Sequence, residues 1–474
     1  GDDSTRGSTT LNAQNIIVDA KRENWLLTID AGVAASKQLA VAPSIGTGIV
    51  DGHVTARIAE EASINAYNNV VVNAEADTVN MVGSGALGIG LDTGAGAVAI
   101  STSAEYGKTE AYITDANVIA KGKGNSVATN SGQLIDDDDL PDLSPTKGPD
   151  DGEDDPATVI SQVDVDDLTT GFASQTLEEN TDDVNGLVVN ATSYVKQQAV
   201  TVGGAGGKNI AININAATNV FESETSAYIA DSTINNGVMD EDGADIVVRA
   251  SDHSFGLAVS AGIAIAAGEG AAAGQAGFAV NHQGKDAYAK VENTTVKADT
   301  LTIEANTTQL AQAVSAGVAA GIGKGGLGGS ASVVVTKQMG DTRAWLHGGD
   351  ITVNSLAVNA ERRQDINVAT GSLGVGTSVG VGIGLAVNLV GGDTQAIIGR
   401  DIDDEDDVVE MEHIYCWKCG KSIPVNSKFC LDCGSDIKKP EVKEDSVEEI
   451  PDKIPDEVIE KKSNNGNKKN ILIV

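Results

Sequence analysis

The sequence predicts an all-β protein built as a β-solenoid, on three observations. A short phrase recurs along the first 400 residues, the positions between its copies alternate apolar and polar, and aromatics make up only 3% of the 474-residue chain. Repetition at this spacing marks stacked supersecondary units. Strict period two marks a strand with one buried and one solvated face. A chain so poor in Phe, Tyr and Trp does not fill the wide interior of a β-sandwich, and its 55 glycines point to thin, closely approached layers instead.

The phrase reads Thr55-Ala56-Arg57-Ile58, Thr109-Glu110-Ala111-Tyr112-Ile113, Thr225-Ser226-Ala227-Tyr228-Ile229, Thr342-Arg343-Ala344-Trp345-Leu346 and Thr394-Gln395-Ala396-Ile397-Ile398, with a weaker copy at Asp286–Val291. Its alanines, at 56, 111, 227, 289, 344 and 396, lie 55, 116, 62, 55 and 52 residues apart. Units of ~52–62 residues follow, and the 116 is either two units or one unit carrying an insertion. After each phrase comes a pair of short alternating strands, such as Val296, Ala298, then Leu301, Ile303, Ala305. A Gly/Ala segment follows, read as hairpin-like, as in Val314–Val318 leading to Ser332–Val335. Two or three rungs per unit are expected, stacked at about 4.8 Å around a narrow Val/Ile/Leu/Ala interior. The uncharged stretch Gly371 to Gly392 is long enough for a membrane helix, but its glycines and its period-two alternation favour strands.

Charge and cysteine divide the chain near residue 410. Residues 411–474 hold 11 Lys against 12 acidic residues, a net of −1; the remaining 21 basic and 56 acidic residues leave −35 on residues 1–410, which have no cysteine. Such an acidic surface disfavours nucleic acid and anionic membranes. Gly1 opens without a charged-then-apolar leader, so no signal peptide is expected in this stretch. The expected organisation is solenoid repeats over 1–133, an acidic insertion over 134–183, and further repeats over 184–400. An acidic linker over 401–412, a zinc ribbon over 413–437 and a disordered charged tail over 438–474 complete it.

The Ala-Tyr-Ile phrase, alternating Val strands, and Gly/Ala blocks ending in Ala279-Val280-Asn281 and Ala386-Val387-Asn388 resemble repeats of very large bacterial surface exoproteins. These are the filamentous-haemagglutinin-like and leukotoxin-like adhesins with autotransporter-style β-helices. The resemblance covers most of residues 10–400 and implies a non-enzymatic, extracellular or cell-surface stalk that meets host or matrix glycans and proteins.

Within these repeats little chemistry is legible. Gly321–Gly326 matches GxGxxG by letter but lacks a following helical pattern, and Gly203 to Lys208 lacks the Ser or Thr of a phosphate loop. Gly88–Asp92 is a single copy of a calcium-roll-like phrase, which binds only in tandem. The acidic runs Asp136–Asp139, Asp150–Asp155 and Asp401–Asp407 could gather hard cations, and read more simply as solvated loops. No nucleophile–base set stands out; a carbohydrate-active β-helix enzyme is the alternative reading, without an assignable acid/base pair.

The second unit carries one specific motif. Cys416-x-x-Cys419-Gly420 and Cys430-x-x-Cys433-Gly434 form two knuckles, each placing two thiolates on a tight turn. Paired CxxC-Gly turns favour tetrahedral zinc over two disulfides, and four thiolates leave no open position for a catalytic water. The piece resembles the N-terminal zinc ribbons of bacterial membrane-anchored proteins. Met411 stands where such a protein would begin, and Lys468-Lys469-Asn470-Ile471-Leu472-Ile473-Val474 reads as the cytoplasmic edge of a membrane helix. That context implies the cytoplasm, so the chain is expected to join two proteins, the ribbon serving as an interaction module.

Overall fold

A computed structural model describes residues 8–134, 177, 179–237 and 244–399, together with the backbone of 413–415 and 422–424. The chain falls into two compact units, Gly1–Asp401 and Ile402–Val474. Every regular element among the described residues is a strand.

In the first unit these are β1 (Thr10–Ala13), β2 (Ile16–Ser36), β3 (Leu39–Ala59), β4 (Ser63–Ala66), β5 (Val70–Gly90), β6 (Gly94–Thr114), β7 (Asn117–Ala120), β8 (Val127–Leu134), β9 (Glu179–Val184), β10 (Gly186–Gly207) and β11 (Ile210–Ala230). There follow β12 (Thr233–Ile234), β13 (Asp245–Ala267), β14 (Ala272–Glu292), β15 (Thr295–Ile322), β16 (Leu327–Met339), β17 (Thr342–His347), β18 (Asp350–Gly376), β19 (Val379–Val390) and β20 (Thr394–Ile398). The second unit contributes β21 (His413–Tyr415) and β22 (Ser422–Pro424).

The long strands stack in parallel as two sheets, in the orders β2-β5-β10-β13-β15-β18 and β3-β6-β11-β14-β16-β19. Short strands β1, β4, β7 and β12 form a third column, which joins the first sheet because β15 runs through both. Each turn of chain therefore passes through a short strand, a long strand of the first sheet and a long strand of the second, an arrangement consistent with a β-solenoid. The pairing is unbroken from turn to turn: Ile16 faces Val70, Val70 faces Leu187, and onward through Ile246, Leu301 and Leu356. The six phrase alanines form one such column, Ala56, Ala111, Ala227, Ala289, Ala344 and Ala396.

Three expectations are corrected. Each unit supplies one layer, not two or three, because its strands are about 21 residues long and span roughly 70 Å. The Gly/Ala segments are not hairpins: β15 and β16, on either side of Gly323–Gly326, belong to different sheets, so the turn is an arc between facing sheets. The interior, moreover, is not uniformly Val/Ile/Leu/Ala. At the phrase end, Ile16, Ile58, Ile64, Val70, Ile113, Leu187, Ile229, Ile246 and Ile303 make a continuous apolar core. Toward the arcs the inward residues are Ala, Gly, Ser and Asn, with alanine clusters around Ala97, Ala211, Ala264 and Ala319.

Local sequence fixes both ends of each turn. At the phrase end one column of corner residues takes a left-handed backbone, Glu60 (φ 44°), Asp115 (49°), Asp231 (48°), Asn293 (48°) and Gly348 (65°), joined by Glu61 (59°) and Gly349 (82°) at two of the corners. Asp, Asn and Gly tolerate this conformation best. At the arc end the two sheets approach so closely that a Cβ on Gly88 would run into the carbonyl of Gly96. The interval of 116 proves to be one turn plus an insertion, since β6 pairs directly with β11. The insertion leaves and re-enters through β8 and β9, which pair antiparallel; its residues 135–176 lie outside the described residues.

Gly88→Val is expected to cost about 3 kcal/mol, because its neighbour is backbone that cannot yield. Gly274→Val, with open space around its Cβ position, is expected to cost under about 1 kcal/mol. Urea midpoints of the two variants check the contrast.

Candidate functional site

Three features of the first unit have the density of side-chain organisation that function or specific stability requires. The first is a buried charge cluster between the sheets. Lys285 is fully buried, with Nζ 3.3 Å from Glu105 Oε2, 3.4 Å from Asp252 Oδ1, and donating to Ser223 Oγ. Thr225 Oγ1 donates to Asp252 Oδ2 at 2.8 Å. Burial works against the Lys285 ammonium, but Asp252 and Glu105 outweigh it and raise its pKa above the ordinary 10.5. Burial raises the Glu105 carboxyl, with Lys285 pulling the other way. Flanking amides continue the network as ladders from turn to turn: Asn219 Nδ2 donates to Asn281 Oδ1 at 2.7 Å, and Gln338 Nε2 to Gln283 Oε1 at 2.8 Å. The cluster is sealed from solvent, so it fixes register rather than meeting a ligand.

The second feature is the clip that seats the insertion. Strands β8 and β9 lie over the outer face of the first sheet, where Glu179 Oε1 is 2.9 Å from His253 Nε2 and its Oε2 accepts from Gly132 N at 2.6 Å. Arg249 bridges Glu304 (2.7 Å) and Asp182 (3.1 Å). Tyr194 stacks on His253 with ring centroids 5.7 Å apart, and burial first, then the Glu179 charge, pushes its phenol far above the usual tyrosine range. Leu177 packs on Phe255, Leu257 and Leu310 beside it. No pattern in the sequence signals this clip, because its partners are joined only by the return of the insertion.

The third feature is the outer surface of the arc half. Since small residues face inward there, the large aliphatics face out. On the second sheet five successive outward columns, those beginning at Leu39, Val41, Pro43, Ile45 and Thr47, run through all six turns without one charged residue. Four columns of the first sheet, beginning at Ile29, Ala31, Val33 and Ala35, are equally uncharged. Even in the central turns the exposure is high: Val202 is 56%, Ile212 50% and Ile263 50% accessible. Gly204 and Gly206 make a shallow groove between Leu87 and Ile89 on one side and Ile263 and Ile265 on the other. The second sheet's face alone covers on the order of 900 Å², larger than the usual largest patch of a monomer, about 300–600 Å².

Outward residues at the phrase end are polar and aromatic instead. Tyr112 and Tyr228 stack at 4.7 Å, and Lys290 Nζ lies 5.2 Å from the Tyr228 ring and 5.7 Å from Trp345. Each ring of the Tyr112–Tyr228 pair thus covers one face of the other, and Lys290 lies over Tyr228 and Trp345.

The Gly-rich letters singled out in the sequence fall at arcs. Gly88–Asp92, Gly203–Lys208 and Gly321–Gly326 all end strands of the first sheet, with no helix following among the described residues. Likewise Gly371 to Gly392 forms the end of β18, an arc and β19; no helix among the described residues is long and apolar enough to cross a membrane. The acidic runs at 136–139, 150–155 and 401–407 lie outside the described residues, and no group of three or more His, Cys, Asp or Glu placed to hold a metal occurs among those described.

In the second unit β21 and β22 pair antiparallel, Tyr415 facing Ser422 and Ile414 facing Ile423. Cys416 and Cys419 fall in sequence between these strands. All four expected ligands, Cys416, Cys419, Cys430 and Cys433, lie outside the described residues.

A zinc-ribbon domain family matches residues 415–437. No curated protein and no solved structure matches the chain. The donor set of the matched stretch, four cysteines in two CxxC pairs, suits zinc held structurally by thiolates.

Lys285→Met is expected to cost about 3–5 kcal/mol, because it strands two buried carboxylates. Since the folded pKa of Lys285 lies above its unfolded value, its stabilisation is complete below pH 10.5 and is lost as pH rises through the folded value. The penalty of the variant should be larger at pH 8 than at pH 4, where Glu105, its carboxyl raised by burial, can take up a proton; denaturant melts at the two pH values check this. The full chain is expected to bind one zinc ion, read by elemental analysis, and Cys430→Ser with Cys433→Ser should abolish that binding.

Proposed function

We propose that residues 10–400 form a β-solenoid that acts as a structural and adhesive segment of a bacterial surface exoprotein, without catalysis. The single observation that carries this reading is the uncharged outer face of the arc half. A chain with a net charge of −36 that keeps nine outward columns free of charge has a surface suited to burial against something else. The nine columns carry mostly aliphatic and small side chains and neither Trp nor Tyr, the rings on which sugars stack, so a protein surface suits this face better than a glycan. The matched ribbon supports a separate, structural zinc module over 413–437 that meets a protein partner and belongs to a reducing compartment. The break in charge and cysteine content supports an origin of the two units in different proteins.

Adsorption to surfaces coated with matrix proteins tests the adhesive reading. Ile212→Glu with Ile263→Glu, both outward and half exposed, is expected to abolish binding while the far-ultraviolet dichroism stays unchanged. Retained binding in that variant sinks the assignment of the face. Release of reducing ends or unsaturated sugars from acidic polysaccharide would instead support the enzymatic alternative.

A further inference from the structure

We propose that the first unit stacks head to tail with a second copy of the same chain, the β18–β19 edge of one copy continuing onto the β2–β3 edge of the next. Among the described residues these are the unpaired edges of the two long-strand sheets. Each is a strand of the first sheet followed by one of the second, both parallel to every other member of their stack. Their backbone groups point out of the stack, which makes each edge a template for one more layer. Because every position has an equivalent in every turn, the register of the junction is fixed in advance. Continuing the columns places Leu356 on Ile16, Leu373 on Val33, Val379 on Leu39 and Leu385 on Ile45, all apolar pairs.

The charges at the two edges match in the same register. Glu361 falls on Lys21, the pairing that Glu75 already makes with Lys21 at 2.9 Å inside one chain. Arg363 falls on Glu23, and Asn359 on Asp19, as Asn73 Nδ2 already donates to Asp19 Oδ1 at 2.8 Å. One like-charged pair results, Arg362 on Arg22; both point into the stack, where Arg362 Nη2 donates to Gln309 Oε1 at 3.3 Å and Arg22 contributes to lowering the Glu105 carboxyl. An end face of two facing strands, roughly 70 Å long and 20 Å across, is on the order of 1,400 Å² per partner, against about 800 Å² in a standard interface. The contact joins unlike surfaces and does not close on itself, so it generates open filaments and not a dimer. This inference rests on the edges and is independent of the adhesive reading of the outer faces.

Mixing two single variants of the full zinc-loaded chain, Lys21→Cys and Glu361→Cys, tests the register directly. Neighbouring Cα atoms of a parallel pair lie within disulfide reach. The expected result under mild oxidation is a disulfide between the two introduced thiols, located by peptide mapping of the mixture. No such bridge is expected when Glu361→Cys is replaced by Ala357→Cys, four residues out of register. Sedimentation of the unmodified chain should show oligomers that lengthen with concentration, and Glu361→Lys should weaken them roughly tenfold. Bridging that is equal for Ala357→Cys, or a self-bridge of Lys21→Cys alone, would overturn the proposal. So would a chain that stays monomeric at micromolar concentration; edge amides protected from hydrogen exchange in that monomer would show that another part of the chain covers them.

Discussion

Everything in the first unit depends on parallel, in-register pairing of each turn with the next. Side chains in a strand alternate between faces, so a slip of one residue would carry every inward group outward over a span of about 21 residues. Several independent devices oppose such a slip. The alanine column packs into the core at the phrase end, where Ala111, Ala227, Ala289 and Ala344 are wholly inaccessible. Left-handed corner residues must recur at one position per layer. Amide ladders and the Lys285 cluster bond only when the correct layers adjoin, because a shifted carboxylate would leave a buried charge alone.

The same pairing divides each layer into two regimes. At the phrase end three segments converge, so there is room for Ile, Leu and Val between them and an ordinary apolar core results. At the arc end only two sheets face each other, and the glycine turns hold them too close for large inward side chains. Large aliphatics in the alternating pattern then have one direction left, outward. The uncharged outer face is thus a consequence of thin layers, not an addition to them.

The column of phrase alanines was legible in the sequence, because a residue that packs into the core once per layer repeats at the period of the stack. The zinc-ribbon stretch that the family match covers, residues 415–437, was legible from the spacing of its two CxxC pairs. Which face of the arc half is buried was not legible: period two separates the two sets but does not say which set faces in, and hydrophobicity alone selects Val381, Ile383 and Leu385, the wrong one. Nor was the Lys285 cluster, whose partners Glu105 and Asp252 lie 180 and 33 residues away in the chain. Layer count per unit was misjudged because Gly/Ala segments look alike in a hairpin and in an arc; only the identity of the paired strands separates them.

Charge and association are reconciled by where the charge sits. A net of −35 on the first 410 residues would oppose contact between copies if it were spread evenly. Outward ion pairs such as Lys108 with Glu224 and Lys21 with Glu75 cluster toward the phrase end. The uncharged columns extend about 30 Å toward the arcs, several times the Debye length of about 8 Å at physiological salt. The arcs themselves carry charges of both signs, Lys37, Asp92, Lys208, Glu269 and Lys324. A partner approaching the arc half therefore meets little of the net field, while the phrase half holds the hydrated, charged surface. Hydration and stickiness are assigned to opposite ends of every layer, and stacking the layers extends both into continuous bands.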